Sequence, residues 1–383
     1  MRTQTAVASI ATALLLSACS AASVVDTAPP TSPTAPSDAG TSVPEPTTLP
    51  TSTMEEADYS GGAGLTFSTA EGLWQIGASS ATSLVVDQPS ARLSPDGSKV
   101  AYLQTDPENG KDDVWLLDRT TGTSVNLTQT PDRFETVPFW WPGRLDTIIF
   151  GSDVETGMLN SDYPTAVGID GTNYQVLDSE RGGPRALSPD GSSIAYGGYD
   201  APGRLYLWKT GPQPFDPSEY GVPANKLFQP SYSPDGAELA WLVGGDLSGN
   251  GSYQTGLAVF DLKTMQGRLM HGYQPVGGGT FPLVVAWSPA GDWIAFVTFG
   301  EPPSSGRAPN LWVIRPDGSD ETYVGEGLDP TWSPDGRFLA YLRTGAESDQ
   351  EIWTATAGTW EAVRLDLPPE ASRTLFLMGW SRP

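Results

Sequence analysis

The sequence has few of the groups from which common catalytic sites are built. It contains one cysteine and one histidine in 383 residues. A single cysteine excludes a disulfide within the chain, and one cysteine with one histidine cannot form a Cys/His zinc cluster. The 21 Lys and Arg are outnumbered by 45 Asp and Glu, which gives a net charge of -24. Because such a field repels phosphate backbones and anionic headgroups, we expect no nucleic-acid partner and no electrostatic docking on membranes.

Turn-forming and aromatic residues, by contrast, are plentiful. The chain has 43 Gly and 35 Pro, together with 13 Trp, 13 Tyr and 12 Phe. Aromatic side chains bury large apolar surfaces, so a globular core is available and disorder of the whole chain is excluded. The composition indicates a turn-rich β protein.

The N-terminus carries a targeting signal. Arg2 is followed by an apolar run at residues 6–16, which is too short to span a bilayer of about 30 Å as a helix and is typical of a signal-peptide core. The segment Leu16-Ser17-Ala18-Cys19 then resembles the bacterial lipobox. This resemblance implies that residues 1–18 are removed as a signal peptide and that Cys19, the only cysteine, is acylated. The alternative is an ordinary secretory signal in which Cys19 is incidental.

Residues 19–60 form a second region, rich in Pro, Ser and Thr. No Lys or Arg occurs between residues 20 and 58, and such a composition cannot bury a core. We predict a disordered tether that spans roughly 35 Å by random-coil scaling. The sequence therefore predicts a protein anchored to the cell membrane through lipidated Cys19 only, with its folded part on the extracytoplasmic side.

One turn motif recurs through the remainder of the chain. Ser-Pro-Asp-Gly occupies residues 94–97, 188–191, 233–236 and 333–336, and Ser-Pro-Ala-Gly occupies residues 288–291. Proline fixes φ in a tight turn, aspartate supports the turn and glycine accepts a positive φ. Eight residues after each serine an aromatic ends a β-type run; these aromatics are Tyr102, Tyr196, Trp241, Phe296 and Tyr341. A degenerate copy at residues 138–143 leads to Phe150.

The spacing of the copies predicts a β-propeller. Three of the four steps between the motif serines are one or two multiples of about 46 residues, and the step from Ser233 to Ser288 is 55 residues. A unit of this length accommodates four antiparallel strands for each blade. Residues 65–67 and 72–74 match second and third strands with no first strand before them, and residues 378–380 match a first strand with nothing after it. We predict an all-β propeller over residues 64–383 with seven four-stranded blades, one of them a composite of both chain ends. Six blades are the alternative.

These repeats resemble the PD-type, WD-like repeats of TolB-like β-propellers, which also occur in the propeller domains of prolyl oligopeptidase and dipeptidyl peptidase IV families. The resemblance covers about residues 64–383 and implies the fold. It does not imply a role in the Tol machinery, because TolB has six blades and a separate N-terminal domain.

The inventory of reactive groups favours binding over catalysis. His271 is the only candidate base, and no G-x-S-x-G elbow is present. We therefore predict a non-enzymatic binding or scaffold protein without a cofactor. The alternative is a carbohydrate-active or metal-dependent enzyme that acts in the central channel. A structural calcium ion is a further hypothesis, since residues 246–251 match half of an EF-hand loop but Leu257 stands where that loop needs Glu. The candidate oxygen ligands are Asp106, Asp112, Asp246 and Asn250.

Topology indicates where a partner binds. In an up-and-down blade, the loops between the second and third strands share one face with the loops between blades, and the longest loops of this chain fall there. Long variable loops on a rigid scaffold are typical of recognition surfaces. We expect a monomer that binds a cell-envelope protein or glycan through this face. The candidate binding residues are Tyr163, Tyr199, Asp246, Tyr253, His271, Tyr273, Phe299 and Arg307.

Overall fold

The computed structural model describes the part of the chain that the repeats cover. The described residues are 59–69, 72–77, 81–86, 91–136, 138–153, 163–179, 184–196, 203–207, 211–249, 254–273, 284–299, 308–345, 350–368 and 376–380. All of them belong to the compact unit Thr48–Pro383. The predicted signal peptide, Cys19 and nearly all of the predicted tether lie outside them. Within the described residues, no helix is long and apolar enough to cross a membrane.

The described residues form strands of two to ten residues with two short 3-10 turns, Ser60–Gly62 and Pro217–Tyr220. The strands of the first half are β1 (Leu65–Thr69), β2 (Gly72–Ile76), β3 (Ala81–Val86), β4 (Arg92–Leu93), β5 (Lys99–Thr105), β6 (Asp112–Asp118), β7 (Thr123–Asn126), β8 (Phe134–Glu135), β9 (Phe139–Trp141), β10 (Arg144–Asp153), β11 (Tyr163–Gly168), β12 (Gln175–Val176), β13 (Pro184–Leu187), β14 (Ser193–Tyr196), β15 (Gly203–Leu207) and β16 (Gly211–Phe215). Those of the second half are β17 (Lys226–Tyr232), β18 (Glu238–Gly245), β19 (Gln254–Asp261), β20 (Gln266–Tyr273), β21 (Val285–Trp287), β22 (Ile294–Phe299), β23 (Pro309–Ile314), β24 (Thr322–Glu326), β25 (Leu328–Trp332), β26 (Phe338–Thr344), β27 (Gln350–Thr356), β28 (Ala362–Arg364) and β29 (Phe376–Trp380).

The strands form seven antiparallel sheets, which are the seven blades of a propeller. Blades 2, 4, 5, 6 and 7 contain β4–β7, β13–β16, β17–β20, β21–β24 and β25–β28, each in sequence order. Blade 3 contains β8–β12, and its innermost strand is split, since β8 and β9 both pair with β10. The prediction of seven blades is confirmed, and the alternative of six is wrong.

The two ends of the chain close the ring in blade 1. Its strand order is β29-β1-β2-β3, so the last strand of the chain is the innermost strand of the sheet that begins the fold. Leu65 pairs with Trp380, and the Thr66 hydroxyl donates to the Gly379 carbonyl at 2.8 Å. Tyr59 is 6% exposed and packs edge-on against Trp380 with ring centroids 5.9 Å apart. The predicted composite blade is confirmed, and it removes the open sheet edges that an unclosed ring would expose.

The recurring turn owes its shape to its serine as well as to proline, aspartate and glycine. In the first copy, the buried Ser94 hydroxyl donates to Asp96 at 2.6 Å and accepts from the Lys99 amide at 2.9 Å, and Gly97 has φ +71. The same contacts recur at the other Ser-Pro-Asp-Gly turns. In the Ser-Pro-Ala-Gly copy, Ser288 donates instead to Asp292 at 2.9 Å. The serine thus ties the first strand of a blade to the second.

Successive blades are joined by the tryptophans that precede these turns. The Trp140, Trp332 and Trp380 indoles donate to the carbonyls of Arg92, Ala286 and Thr331, each in the innermost strand of the preceding blade, at 3.1, 3.0 and 3.3 Å. Apolar faces of neighbouring sheets complete the contact, as where Leu242 of blade 5 packs in one cluster with Phe296 of blade 6. Each core cluster therefore lies between blades, which fixes the positions of their loop-bearing ends.

Candidate functional site

The propeller has two faces of different construction. The short-turn face is the side where first strands pass to second strands and third strands pass to fourth strands. The Ser-Pro-Asp-Gly turns lie there. The long-loop face is the opposite side, where second strands pass to third strands and each fourth strand leads to the next blade. Antiparallel order within every blade places these two sets of connections on opposite sides.

Five of the candidate binding residues fall within the described chain, all at strand ends of the long-loop face. Tyr163 begins β11 and pairs with Ser152, Phe299 ends β22 and pairs with Pro309, and Asp246 directly follows β18. His271 and Tyr273 lie in β20, where they pair with Leu257 and Thr255. His271 and Tyr273 therefore belong to the outermost strand of blade 5 and not to the loop that leads to blade 6, because the ladder of blade 5 continues through Tyr273. The other candidates, Tyr199, Tyr253 and Arg307, lie outside the described residues.

The candidate calcium ligands in blade 2 are engaged in local hydrogen bonds. Asp106 accepts from the Glu108 amide and from the Asn109 side chain, both at 2.8 Å, and Asp112 accepts from the Thr105 hydroxyl at 2.5 Å. These contacts close the turn between β5 and β6. Among the described residues, no three Asp, Glu, His or Cys side chains come together as a metal site. Asp246 is half-buried, and Asn250 lies outside the described residues.

A cleft opens on the long-loop face between blades 6 and 7. Its volume is about 230 Å³, and we call it the blade 6–7 cleft. The segment that joins β24 to β25 forms one wall, and the ends of β26 and β27 form the other. Its polar side chains are Glu326, Arg343, Thr344 and Gln350. The cleft therefore combines a carboxylate, a guanidinium, a hydroxyl and an amide in a space of small-molecule size.

The wall of the blade 6–7 cleft is held by a close approach of backbone to an aromatic ring. A Cβ atom added to Gly327 would lie 2.5 Å from the Cδ2 atom of Tyr341, which is 1% exposed. The Gly327 amide also donates to the Pro309 carbonyl at 3.0 Å. Only glycine leaves room for this ring, so the chain path from blade 6 to blade 7 depends on that residue.

Two charges act on the aromatic ring beside the cleft. Burial raises the pKa of Tyr323, the negative charge of Glu326 raises it further, and the positive charge of Arg343 lowers it. Arg343 itself stacks on Trp353, with its Cζ atom 5.0 Å from the ring centroid. The Trp353 indole in turn donates to Glu351 at 2.9 Å, and this contact and Arg364 lower the pKa of Glu351. The guanidinium of Arg343 is thus oriented by an aromatic face that leaves its N–H groups available.

A different arrangement occupies the junction of blades 2 and 3 on the same face. Here Asp113 of β6 and Glu135 of β8 are 9% and 3% exposed and form a buried carboxylate pair. Glu135 accepts from the Val114 amide at 2.9 Å, and Asp113 accepts from the Asn126 side chain at 2.7 Å. No sequence pattern had indicated a pair of carboxylates.

The two carboxylates of this pair compete for the same hydroxyl protons. The Thr128 hydroxyl oxygen lies 2.6 Å from Glu135 and 3.4 Å from Asp113, and that of Thr130 lies 2.8 Å from Glu135 and 3.3 Å from Asp113. Each hydroxyl has one proton for two acceptors. Burial raises the pKa of Glu135 to about 7, although its hydrogen bonds lower it. Glu135 is therefore a buried carboxylate that binds a proton more tightly than an exposed glutamate does.

The central channel holds the remaining pair of charged side chains that burial perturbs. Burial lowers the pKa of Arg92 to about 10 and raises that of Asp329, and the attraction between the two opposes both shifts. Asp329 adopts a left-handed φ of +49 within the innermost strand of blade 7. Toward the short-turn face the channel widens to about 390 Å³, bordered by Tyr232, Trp287 and Trp332. Among the described residues, those that line this mouth carry no charge.

Arg343 is the one functional candidate that a comparison of the repeats could have indicated. The residue ten positions after the motif serine is Gln104, Gly198, Val243, Thr298 and, in blade 7, Arg343. A charge at a position that is neutral in the other copies indicates a departure from the structural pattern. Asp113 and Glu135 gave no such signal, because they meet only where two blades pack together.

No protein-family model and no curated protein matches this chain by sequence. Solved structures do match. The β-propeller domain of the Trilobed protease from Pyrococcus furiosus aligns with a TM-score of 0.52 at 13% identity, over 78% of this chain and 87% of that one. That domain has an open velcro topology, whereas here β29 pairs with β1.

Two further solved chains align with this one. The tricorn protease aligns with a TM-score of 0.51 at 11% identity, over 82% of this chain and 34% of that one. TolB from Acinetobacter baumannii aligns with a TM-score of 0.46 at 14% identity, over 82% of this chain and 66% of that one. This chain thus spans less than two thirds of the tricorn and TolB chains. At these identities a likeness to solved structures shows the fold alone, and the likeness to the Trilobed protease domain is to a β-propeller.

Proposed function

We propose that this protein is a lipid-anchored, extracytoplasmic binding or scaffold protein that holds a cell-envelope protein or glycan on its long-loop face. The observation that carries the proposal is the blade 6–7 cleft, where Arg343 and Glu326 line a space between two rigid blades. Binding residues on loops that a rigid scaffold positions are the usual arrangement of recognition surfaces.

The motif turns of the short-turn face offer few free polar groups for recognition. Its motif serines and aspartates are hydrogen-bonded to one another and to backbone amides, as at Ser233 and Asp235. Those groups hold together the first two strands of each blade, so they are not available to a partner. The contrast supports the long-loop face as the side on which the partner binds.

The proposal excludes catalysis as the principal activity. The carboxylate pair of Asp113 and Glu135 is closed to solvent, so a substrate has no access to it. The test is turnover: the purified domain is incubated with polysaccharide and peptide libraries, and we expect no products. Products that appear with wild type and vanish with Arg92→Gln or Asp329→Asn would establish the channel enzyme instead.

The anchor is tested separately from the binding face. We expect Cys19→Ala to move the protein from the detergent phase to the aqueous phase in a phase-separation assay, because two or three acyl chains are needed for stable anchoring. A Cys19→Ala protein that partitions as wild type does would place the anchor elsewhere or remove it.

The binding face is tested by affinity capture from solubilised membranes. The first variant carries Tyr253→Ala, Phe299→Ala and Arg307→Ala. In the sequence, Tyr253 stands between β18 and β19, Phe299 ends β22, and Arg307 stands between β22 and β23. The matched control carries Lys263→Ala, Met265→Ala and Asp320→Ala, three exposed residues in short turns of blades 5 and 6. We expect the partner to be lost with the first variant and retained with the control. Equal capture by both, or loss with the control alone, would contradict the choice of face.

A further inference from the structure

Two side chains in the blade 6–7 cleft have hydrogen-bonding groups that no neighbour uses. Within the part of the chain that the structure describes, Arg343 makes its contact with the Trp353 ring and no hydrogen bond or ion pair. Glu326 likewise accepts no hydrogen bond and joins no ion pair there. Arg364, on the outer side of the same blade, does have a charged partner, because it pairs with Glu351 at 3.2 Å. Arg343 thus stacks on Trp353 and forms no ion pair, although its charge helps to lower the pKa of Glu351.

The two free charges come from different blades and do not neutralise each other. Glu326 ends β24, the outer strand of blade 6, and Arg343 lies in β26, the second strand of blade 7. Both act on Tyr323, with opposite effects on its pKa. A simple anion that enters the cleft meets Glu326, and a simple cation meets Arg343. Only a ligand that carries both charges finds a complement for each.

We propose that the blade 6–7 cleft binds a zwitterionic α-amino-acid group, with its carboxylate on Arg343 and its ammonium on Glu326. The planar guanidinium suits a carboxylate, which it can contact through two parallel N–H donors. The cleft volume of about 230 Å³ is several times the roughly 30 Å³ that one water molecule occupies in the liquid. An α-amino-acid group fits this volume.

This inference rests on the proposed function, since it names the chemical group that the long-loop face recognises. Two sources can present that group: a free amino acid, or an amino acid attached through its side chain to an envelope polymer. In both cases the α-ammonium and α-carboxylate are unmodified, so the contacts with Arg343 and Glu326 are the same. The sources differ in one respect: the side chain of a polymer-bound amino acid must pass out of the cleft to the polymer, whereas that of a free amino acid need not.

The experiment is a calorimetric titration of the purified full chain with L-alanine, N-acetyl-L-alanine and L-alaninamide. We expect L-alanine to bind and the two blocked compounds to bind at least tenfold more weakly, because each lacks one charge. Arg343→Gln and Glu326→Gln are each expected to weaken L-alanine binding at least tenfold with an unchanged melting temperature. The matched control, Arg364→Gln, removes an arginine from the same blade outside the cleft and is expected to bind as wild type does.

Nε-Acetyl-L-lysine distinguishes the two sources, because it adds a neutral tail to an intact α-amino-acid group. Binding at least as tight as that of L-alanine supports a polymer-bound group, and binding of L-alanine alone supports a free amino acid. The inference is overturned if L-alanine fails to bind, if the blocked compounds bind equally well, or if the cleft variants bind as wild type does. If L-alanine fails while long-loop capture persists, this inference alone is wrong. If L-alanine binds while capture is independent of that face, the proposed function is wrong.

Discussion

Two blade junctions on the long-loop face solve the same packing problem in different ways. Between blades 2 and 3, Asp113 and Glu135 are buried and every oxygen accepts a hydrogen bond from a residue of the junction. Between blades 6 and 7, Arg343 and Glu326 line an open cleft, and neither forms a hydrogen bond or an ion pair among the described residues. The first arrangement makes charged groups part of the core, and the second leaves them at the surface of a cleft. A shared repeat therefore does not give each junction the same role.

The largest expected difference between the junctions is in their response to pH. The raised pKa of Glu135 means that the folded state binds more protons than the unfolded chain between pH 4.5 and about 7. Stability is therefore fully present below pH 4.5 and falls as pH rises through about 7, by about 3 kcal/mol for a shift of this size. Urea unfolding at several pH values measures this, and Glu135→Gln should remove the decline. A decline that persists in Glu135→Gln would locate the proton elsewhere.

Truncating the buried pair comes next in magnitude. Asp113→Ala leaves the Asn126 side chain and the Thr130 amide without their acceptor. Because both donors are partly buried, the loss should lower the free energy of unfolding by about 1 to 2 kcal/mol. Loss of the neighbouring negative charge should also lower the pKa of Glu135. If urea unfolding showed a decrease of less than about 0.5 kcal/mol in the free energy of unfolding, water would have entered the junction and replaced the lost acceptor.

The wall of the open cleft offers a steric test. Gly327→Ala brings a Cβ to 2.5 Å from the Tyr341 ring, and we expect a loss of about 1 to 2 kcal/mol as the wall shifts. Because the clash is with the ring, the same substitution in a Tyr341→Leu background should cost less than half as much. If Gly327→Ala lowered the free energy of unfolding equally in both backgrounds, the Tyr341 ring would not be what fixes the wall of the cleft. Thermal or urea unfolding of the four proteins gives the comparison.

The free charges of the cleft should matter least for folding. Arg343→Gln is expected to change the free energy of unfolding by less than about 0.5 kcal/mol, since the guanidinium forms no ion pair with the described residues. Arg364→Gln, which breaks an exposed ion pair with Glu351, is expected to be similarly mild. A loss above about 1 kcal/mol for Arg343→Gln alone would assign that residue a structural role.

The architecture could be predicted from the sequence because every blade repeats the same local chemistry. The turn at residues 94–97, the aromatic at Tyr102 and their later copies fix two strands and a turn in each unit, and the unmatched ends at Leu65 and Trp380 predict their own pairing. Local signals of this kind need no tertiary information. The role of the motif serine was missed because its contact with Asp96 depends on the folded turn.

The candidate sites could be predicted only as a face, and not as residues. Tyr163 and Phe299 lie at the expected ends of their strands, but the cleft residues Glu326 and Arg343 stand 17 positions apart in the sequence and meet across two blades. Asp113 and Glu135 are separated similarly, by 22 positions. Packing between blades decides which polar residues face each other. A comparison of the repeats in the sequence contains little information about that packing.

Hydrogen exchange of the protein alone and with its captured partner tests the central claim most directly, because it reports both faces in one experiment. We predict that the partner slows exchange at the long-loop ends of blades 6 and 7, in β24 (Thr322–Glu326) and around Arg343 in β26 (Phe338–Thr344). The short turns at residues 233–236, 288–291 and 333–336 should exchange as in the free protein. Slowed exchange at those turns, with no change around Arg343, would contradict the account.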